Sequence, residues 1–408
     1  MTFLHAFAAI AVLGSGAVLA HGPVEQRYRV DEVVTPSTMG DACVPGFQRG
    51  SGAGGINDFG GVIGGFSCIS LFDPSIPAYN YESGPFVGAP WFGSFELPFS
   101  EPGSGFASTI NNFGTVFGAE IPSTGGFYGS RWSLAGGRER IFDEPTCLPG
   151  LHWSAAIAGN GRYTIGWGFR QDPTLPPELF NLCIATRWLI RNPAGVETVL
   201  PFNGTPSSIN ALHTVVGTRD RSAIRYNIVT TQLRVLHEGD DLHRVETGQI
   251  NDLGEVAGRI INSSTPGGVS QCDPAVAVRW ERDGTEHLLP HLPGAVSSRA
   301  YSVGYDGEVV GDSGAGTYCP YAENATEHAT LWRGDRAIDL NGLIPRSLGI
   351  TLTQAAGINR RGQIAVSGIV NSEPAQTCPS YVYDTGVAVL TPLTCRGIHL
   401  FVLTPLGR

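Results

Sequence analysis

One phrase recurs along this chain and limits what it can fold into. GGINDFGGVIGGFS (Gly54–Ser67) is echoed by STINNFGTVFGAEI (Ser108–Ile121), AIAGNGRYTIGWGF (Ala156–Phe169), SSINALHTVVGTRD (Ser207–Asp220) and GQINDLGEVAGRII (Gly248–Ile261). It returns as YSVGYDGEVVGDSG (Tyr301–Gly314) and GINRRGQIAVSGI (Gly357–Ile369). The anchors are Ile56, Ile110, Ile157, Ile209, Ile250, Val303 and Ile358. They are separated by 54, 47, 52, 41, 53 and 55 residues, an average of about 50. That is the length of one propeller blade.

Within each copy the chemistry is that of a β-hairpin. An apolar run ends at Ile-Asn, an Asp-x-Gly segment supplies the turn, and a β-branched pair starts the return strand. Asn, Asp and Gly tolerate positive φ and hydrogen-bond their own backbone, so they gather at such turns. The glycine after the β-branched pair is expected to let a neighbouring strand or blade approach closely. A second module follows most copies: ATRWLIRNPAGVETVLP (Ala185–Pro201), AVRWERDGTEHLLP (Ala277–Pro290) and ATLWRGDRAIDLN (Ala329–Asn341). Weaker versions are RWSLAGGRERIFDEP (Arg131–Pro145), IRYNIVTTQLRVL (Ile224–Leu236) and YVYDTGVAVLTP (Tyr381–Pro392). Two hairpins per period make four strands, the content of one blade. Blade one has no clean second module, only the aromatic run Tyr79–Phe99. The expectation is an all-β protein: a β-propeller of seven four-stranded blades, with eight as the alternative. RYRVDEVV (Arg27–Val34) and IHLFVLT (Ile398–Thr404) lie outside the seven units and are the strands from both termini that would close the ring.

The two modules together resemble the HAF-repeat family of bacterial extracellular proteins, which pairs an IND-x-G-x-VVG hairpin with a His-Ala-Phe-Leu-Trp strand. The first half matches at Ile56–Gly64 and Ile250–Gly258, and the second is nearest at His328–Trp332. The resemblance implies an exported, propeller-like protein and carries over no catalytic residue.

Composition agrees with short strands and many turns: 15% of the 408 residues are charged, and there are 55 Gly and 28 Pro. All 26 cationic side chains are Arg. Without lysine there is no Schiff-base chemistry and no P-loop. A net charge of -10 argues against a nucleic-acid partner, which needs a basic footprint. The apolar run Ala6–Ala20, ending in small residues before His21, has the pattern of a signal peptide over residues 1–20. Residues 21–408 then form one propeller domain, monomeric, without a membrane span, and secreted, periplasmic or at the cell surface.

Eight cysteines in an exported chain make disulfides the expectation. Cys68, Cys183, Cys272, Cys319 and Cys378 fall between the hairpins of a unit, and Cys43, Cys147 and Cys395 fall between or beyond units. If strands alternate, all eight lie on the face of the longer connections. Neighbour pairings would be Cys43–Cys68, Cys147–Cys183, Cys272–Cys319 and Cys378–Cys395, although sequence leaves connectivity open.

No catalytic constellation stands out. Gly-Asp-Ser-Gly at Gly311–Gly314 has the form of a serine-protease nucleophile segment, but no base segment accompanies it, and Ser313 is read as the residue after a hairpin. The histidines show no HExxH spacing, and Asp58, Asp252 and Asp306 are turn residues before they are calcium ligands. No metal and no cofactor is expected. The aromatic run offers the binding candidates Tyr79, Tyr81, Trp91 and Phe92, because rings presented from a loop stack on sugars or anchor partners; the alternative is that they pack the interior of the irregular first blade. The sequence therefore points to a protein- or glycan-binding scaffold acting through the long-loop face. A propeller hydrolase or lyase acting on extracellular polysaccharide is the alternative.

Overall fold

Short apolar runs between Asn-Asp-Gly turns pair into antiparallel ladders, because a two- to three-residue connection reverses the chain beside itself. In the computed structural model these ladders form seven four-stranded antiparallel sheets in a ring, a seven-bladed β-propeller. The structure describes residues 27–36, 50–69, 81–99, 103–122, 126–142, 154–169, 186–263, 273–314, 327–374, 376–384, 387–395 and 397–407. The expected signal peptide, Tyr79, Cys43, Cys147, Cys183, Cys272 and Cys319 lie outside them. Tyr81, Cys68, Cys378 and Cys395 lie in strands whose side chains are not described.

Blades one to six span 50–96, 103–140, 154–203, 206–237, 243–288 and 297–339. The first strands of successive blades contact one another around a central channel. Blade seven is assembled from both ends of the chain. Ile350–Ile358 and Ile364–Val370 are followed by His399–Leu406, and Arg27–Val33 completes the sheet from the N-terminal side. Ile364 pairs with Leu403, and every residue from Arg27 to Val33 pairs between Leu406 and Leu400.

Three features depart from the sequence expectation. Tyr381–Pro392 is not the second hairpin of blade seven: Gln376–Asp384 and Val387–Cys395 make a separate two-stranded ribbon. The closing strand His399–Leu406 has taken the third position, and the ribbon is an insertion before it. Its backbone register sets Cys395 opposite Gln376, two residues from Cys378. In blade three the residue at the anchor position, next to Asn160 and paired with Thr164, is Gly159, while Ile157 falls in the register shift between Ala156 and Ala158. Blade one, lacking the second module in sequence, forms a regular sheet with Tyr81–Ala89 and Gly93–Glu96 as its outer strands. The fully buried Phe86 packs there with Val33, Val62 and Ala365.

The core lies between blades. Trp132, Trp280 and Trp332 are fully buried and sit opposite Val116, Val256 and Val309, the first β-branched residue of each phrase. Two of them are pinned through the indole N–H to the chain leaving the preceding blade: Trp132 to the Pro98 carbonyl and Trp332 to the Pro290 carbonyl, both at 2.7 Å. The hydrogen bond lets a large apolar side chain be buried without stranding its polar atom.

The innermost hairpin of all seven blades carries a β-bulge. The bulge explains the glycine of the phrase. A Cβ on Gly118 would sit 1.9 Å from the Phe106 carbonyl oxygen, and one on Gly311 would sit 1.8 Å from that of Arg299. At these two positions the close approach is made by the partner strand of the same hairpin, whereas at Gly64 it is made by the Phe86 ring of the blade's third strand and at Gly217 by Trp188 of the preceding blade as well as by the Thr205 carbonyl. Gly311→Ala should destabilise the protein by about 1–3 kcal/mol, the usual cost of forcing atoms into a packed site. Urea unfolding measures this, and an unchanged midpoint would contradict it.

Ring closure carries a titratable link. His399 pairs with Glu32 of the N-terminal strand at 2.7 Å and with Glu373 at 3.1 Å. Burial disfavours the charged ring, but the hydrogen bonds to Glu373 and Glu32 outweigh it and raise the imidazole pKa. The link is thus complete below the ordinary histidine value of about 6.5 and is lost as pH rises through the raised folded-state value. The stability difference between wild type and His399→Gln should shrink as unfolding is measured from pH 6 to pH 9.

Candidate functional site

The two tight turns of each blade lie at the same end of its strands, so one face of the ring is built of turns. On that face the inner turns surround the channel mouth, a cavity of about 220 Å³ lined by residues of all seven blades.

The first turn residue is Asn in six blades: Asn57, Asn111, Asn160, Asn210, Asn251 and Asn359, with Gly304 in blade six. The Oδ1 atom folds back and caps the turn. Asn57 accepts from the N–H groups of Phe59 and Gly61 at 3.1 and 2.8 Å, and Asn210 from those of Leu212 and Thr214 at 3.0 Å. The fourth residue takes left-handed φ, 82° at Gly60 and 61° at His213, the histidine that replaces glycine in blade four.

The other half of each amide does something the sequence reading did not anticipate. Nδ2 donates to a backbone carbonyl of the next blade: Asn57 to Asn111, Asn111 to Gly159, Asn160 to Asn210, Asn210 to Asn251 and Asn251 to Gly304, at 2.8–3.2 Å. Asn359 closes the circle onto the Asn57 carbonyl at 2.9 Å. The signal was present in the residue type. Asp caps a turn as well as Asn does, but only the amide has a donor left over for the neighbouring blade.

The second turn residue faces the mouth, and here the repeats diverge: Asp58, Asn112, Gly161, Ala211, Asp252, Tyr305 and Arg360. Five of them join into one polar wall running from blade five through blades six, seven and one to blade two. The Arg360 guanidinium lies 3.1 Å from Asp58 and 2.6 Å from Asp252, bonds the Tyr305 hydroxyl and stacks over the Tyr305 ring at 4.1 Å. The Arg360 N–H donates to Asp58 Oδ1 at 3.0 Å, and Asn112 Nδ2 donates to Asp58 Oδ2 at 2.7 Å. Asp252 accepts from the Tyr305 hydroxyl and, at 2.8 Å, from the Ala211 N–H. Burial pushes the Asp252 carboxyl up, but these donors prevail and hold its pKa below the usual value. Burial and the facing carboxylate raise the Tyr305 phenol to about 12. At neutral pH Asp252 is therefore charged and Tyr305 is protonated.

The remaining arc, blades three and four, brings no polar side chain at this position. Gly161 carries the ring of Phe113, which a Cβ there would meet at 2.5 Å, and Ala211 leaves its side open. Below lie the aliphatic anchors Ile56, Ile110, Ile209, Ile250, Val303 and Ile358. Around the mouth the third turn residues Phe59 and Phe113 are 60% and 76% exposed.

The sequence candidates divide. Trp91 and Phe92 are 60% and 55% exposed at the outer turn of blade one, on the mouth face, and Trp91 lies against Gly60 beside Phe59. Phe86 and Leu97 of the same run are core residues. The long-loop connections, where the sequence reading sets the binding face, lie mostly outside the described residues, and the described convergence of polar groups is on the opposite face. Ser313 is buried, bonded to the Leu292 N–H and the Ser297 carbonyl, so the Gly-Asp-Ser-Gly segment is structural.

No protein-family model and no curated relative matches the sequence. Among solved structures, the chain is similar to the acylaminoacyl peptidase of Pyrococcus horikoshii, with 10% identity and a TM-score of 0.48 over 85% of this chain and 57% of the peptidase. It is also similar to TolB from Acinetobacter baumannii, with 13% identity and a TM-score of 0.41 over 68% of this chain and 62% of TolB. A third is the β-propeller domain of the Trilobed protease from Pyrococcus furiosus, with 10% identity and a TM-score of 0.33 over 87% of this chain and 93% of that domain. The chain thus spans less than two thirds of the peptidase and of TolB, and likenesses at these scores carry no functional argument.

Asn210→Asp keeps the turn cap and removes the inter-blade donor, leaving a buried carboxylate against the Asn251 carbonyl. It should cost about 1–3 kcal/mol. Denaturant unfolding against wild type measures the loss, and equal stability would show that the rung contributes nothing.

Proposed function

We propose that this chain is an exported binding propeller, of the kind the HAF-like repeats suggest, that takes an extracellular protein or glycan on its mouth face. One observation carries this: the second turn residue differs from blade to blade, and five of those residues join in one polar wall at the channel mouth. A repeated scaffold needs equivalent residues for folding, and a site needs distinct ones.

The chemistry of the wall favours recognition over hydrolysis. Asp58 and Asp252 are both paired to one guanidinium, and hydrogen bonds hold Asp252 ionised. Glycoside cleavage by paired carboxyls asks one of them to stay protonated and deliver its proton. Fixed, mutually satisfied polar groups suit binding, because little ordering is needed when the ligand arrives.

The test begins with expression of the full chain with its own N-terminus in a bacterial host. The exported form should begin at His21 on N-terminal sequencing and should sediment with envelope or extracellular-matrix material. It should release no reducing ends or unsaturated sugars from that material. Steady release in proportion to protein would overturn the binding role in favour of the hydrolase or lyase.

A further inference from the structure

The cavity is chemically two-sided, and its two sides specify a ligand class. Building on the mouth as the binding site, we propose that it is a receptor for one ring of a neutral saccharide, whose chain continues over the exposed aromatics of blades one and two.

Charge excludes the other small-ligand classes first. The wall contains two carboxylates and one guanidinium, so an anionic ligand meets a net negative surface. A cationic ligand finds both carboxylates already paired with Arg360, and the face of Tyr305 already covered by the same guanidinium. A purely apolar ligand would strip water from five polar side chains and return no hydrogen bond, which is costly. What remains is a neutral ligand rich in hydrogen-bonding groups.

Shape narrows the class further. At about 220 Å³ the cavity is smaller than the ~300–1,000 Å³ of sites for drug-sized ligands, so it seats one compact unit. Its charged groups form a wall on one arc, while the Phe113 ring and the open side of Ala211 occupy the other, above a floor in which the aliphatic anchors alternate with Thr109, Ser208 and Gln249. A pyranose is compact, carries hydroxyls around its edge and presents C–H faces. Its hydroxyls match the planar carboxylate, amide and guanidinium groups of Asp252, Asn112 and Arg360; Arg360 holds Asp252 directly, and Asp58 ties Asn112 to Arg360. Its C–H face matches the Phe113 ring and the floor. Phe59 and Trp91, neighbours across Gly60, are exposed just outside the mouth and give adjoining sugars a place to stack.

The substitutions that test this act on opposite arcs. The Ala211 side chain is exposed, and its N–H bond to Asp252 does not depend on it, so Ala211→Trp fills the open side and preserves the fold. Arg360→Ala removes the centre of the wall. The probe is a glycan array of neutral and uronate oligosaccharides, followed by calorimetry on the strongest neutral hit, with arginine-rich decapeptides in parallel. Neutral glycans should bind at least tenfold more tightly than their uronate counterparts. Ala211→Trp should abolish binding without changing the melting temperature, and Arg360→Ala should weaken it tenfold or more. Glycan binding that survives both substitutions would overturn this site assignment while leaving an exported binding propeller intact. Retention of the peptides alone, or preference for uronates, would overturn the ligand class. Retention of no probe by a folded protein would overturn the saccharide assignment, while the sedimentation and N-terminal tests decide the broader role separately.

Discussion

The ring depends on a single side-chain amide used twice. At six of seven equivalent positions Asn spends its oxygen on its own turn and its nitrogen on the next blade, so the bonds that shape each hairpin also join the sheets. A hydrogen bond of this kind is worth roughly 1 kcal/mol net, but leaving its buried partner unmade costs more. The arrangement therefore penalises disorder at any one junction more than it rewards order there. The hydrophobic contacts between blades supply the bulk of the stability, and the amides set the spacing and height at which blades meet.

The exception in that circle is informative. Gly304 has no amide to give, and its backbone does not require glycine: a Cβ there would meet Ile358 at an ordinary 3.4 Å. At the same junction Tyr305 and Arg360 stack on each other, and Arg360 reaches on to Asp58 and Asp252. The missing rung and the polar wall occupy one place. The departures from the repeat in blades six and seven, Gly304, Tyr305 and Arg360, coincide with the most distinctive part of the mouth. These departures give a near-symmetric ring a site with a direction.

Closure follows another logic. Blade seven joins Arg27–Val33 to His399–Leu406, so the first and last described strands are neighbours and the ring cannot open without breaking seven paired positions. The ribbon Gln376–Cys395 is inserted where the other blades have their long loops, and its apolar content imitated a blade hairpin in the sequence. Hydrophobic alternation identifies a strand and not its partner, which is why the inserted ribbon and the true closing strand exchanged places in the sequence reading.

By itself the sequence determined the strand content, the repeat count and the turn positions. Ile-Asn-Asp-x-Gly followed by a β-branched pair has few conformations open to it, and seven copies near 50 residues apart leave little besides a propeller. It also named Tyr79, Tyr81, Trp91 and Phe92 as binding candidates, while their exposure was not legible in it. Only the tertiary structure decided which face carries the polar convergence, that Asn bridges blades, that the phrase glycine accommodates a bulge in its own hairpin, and that Asp58, Asp252, Tyr305 and Arg360 meet. Those four are spread over more than 300 residues of chain and come together because the ring brings the second turn residue of every blade to one axis. Local propensity is written residue by residue. Proximity across a closed ring arises only when the circle is complete.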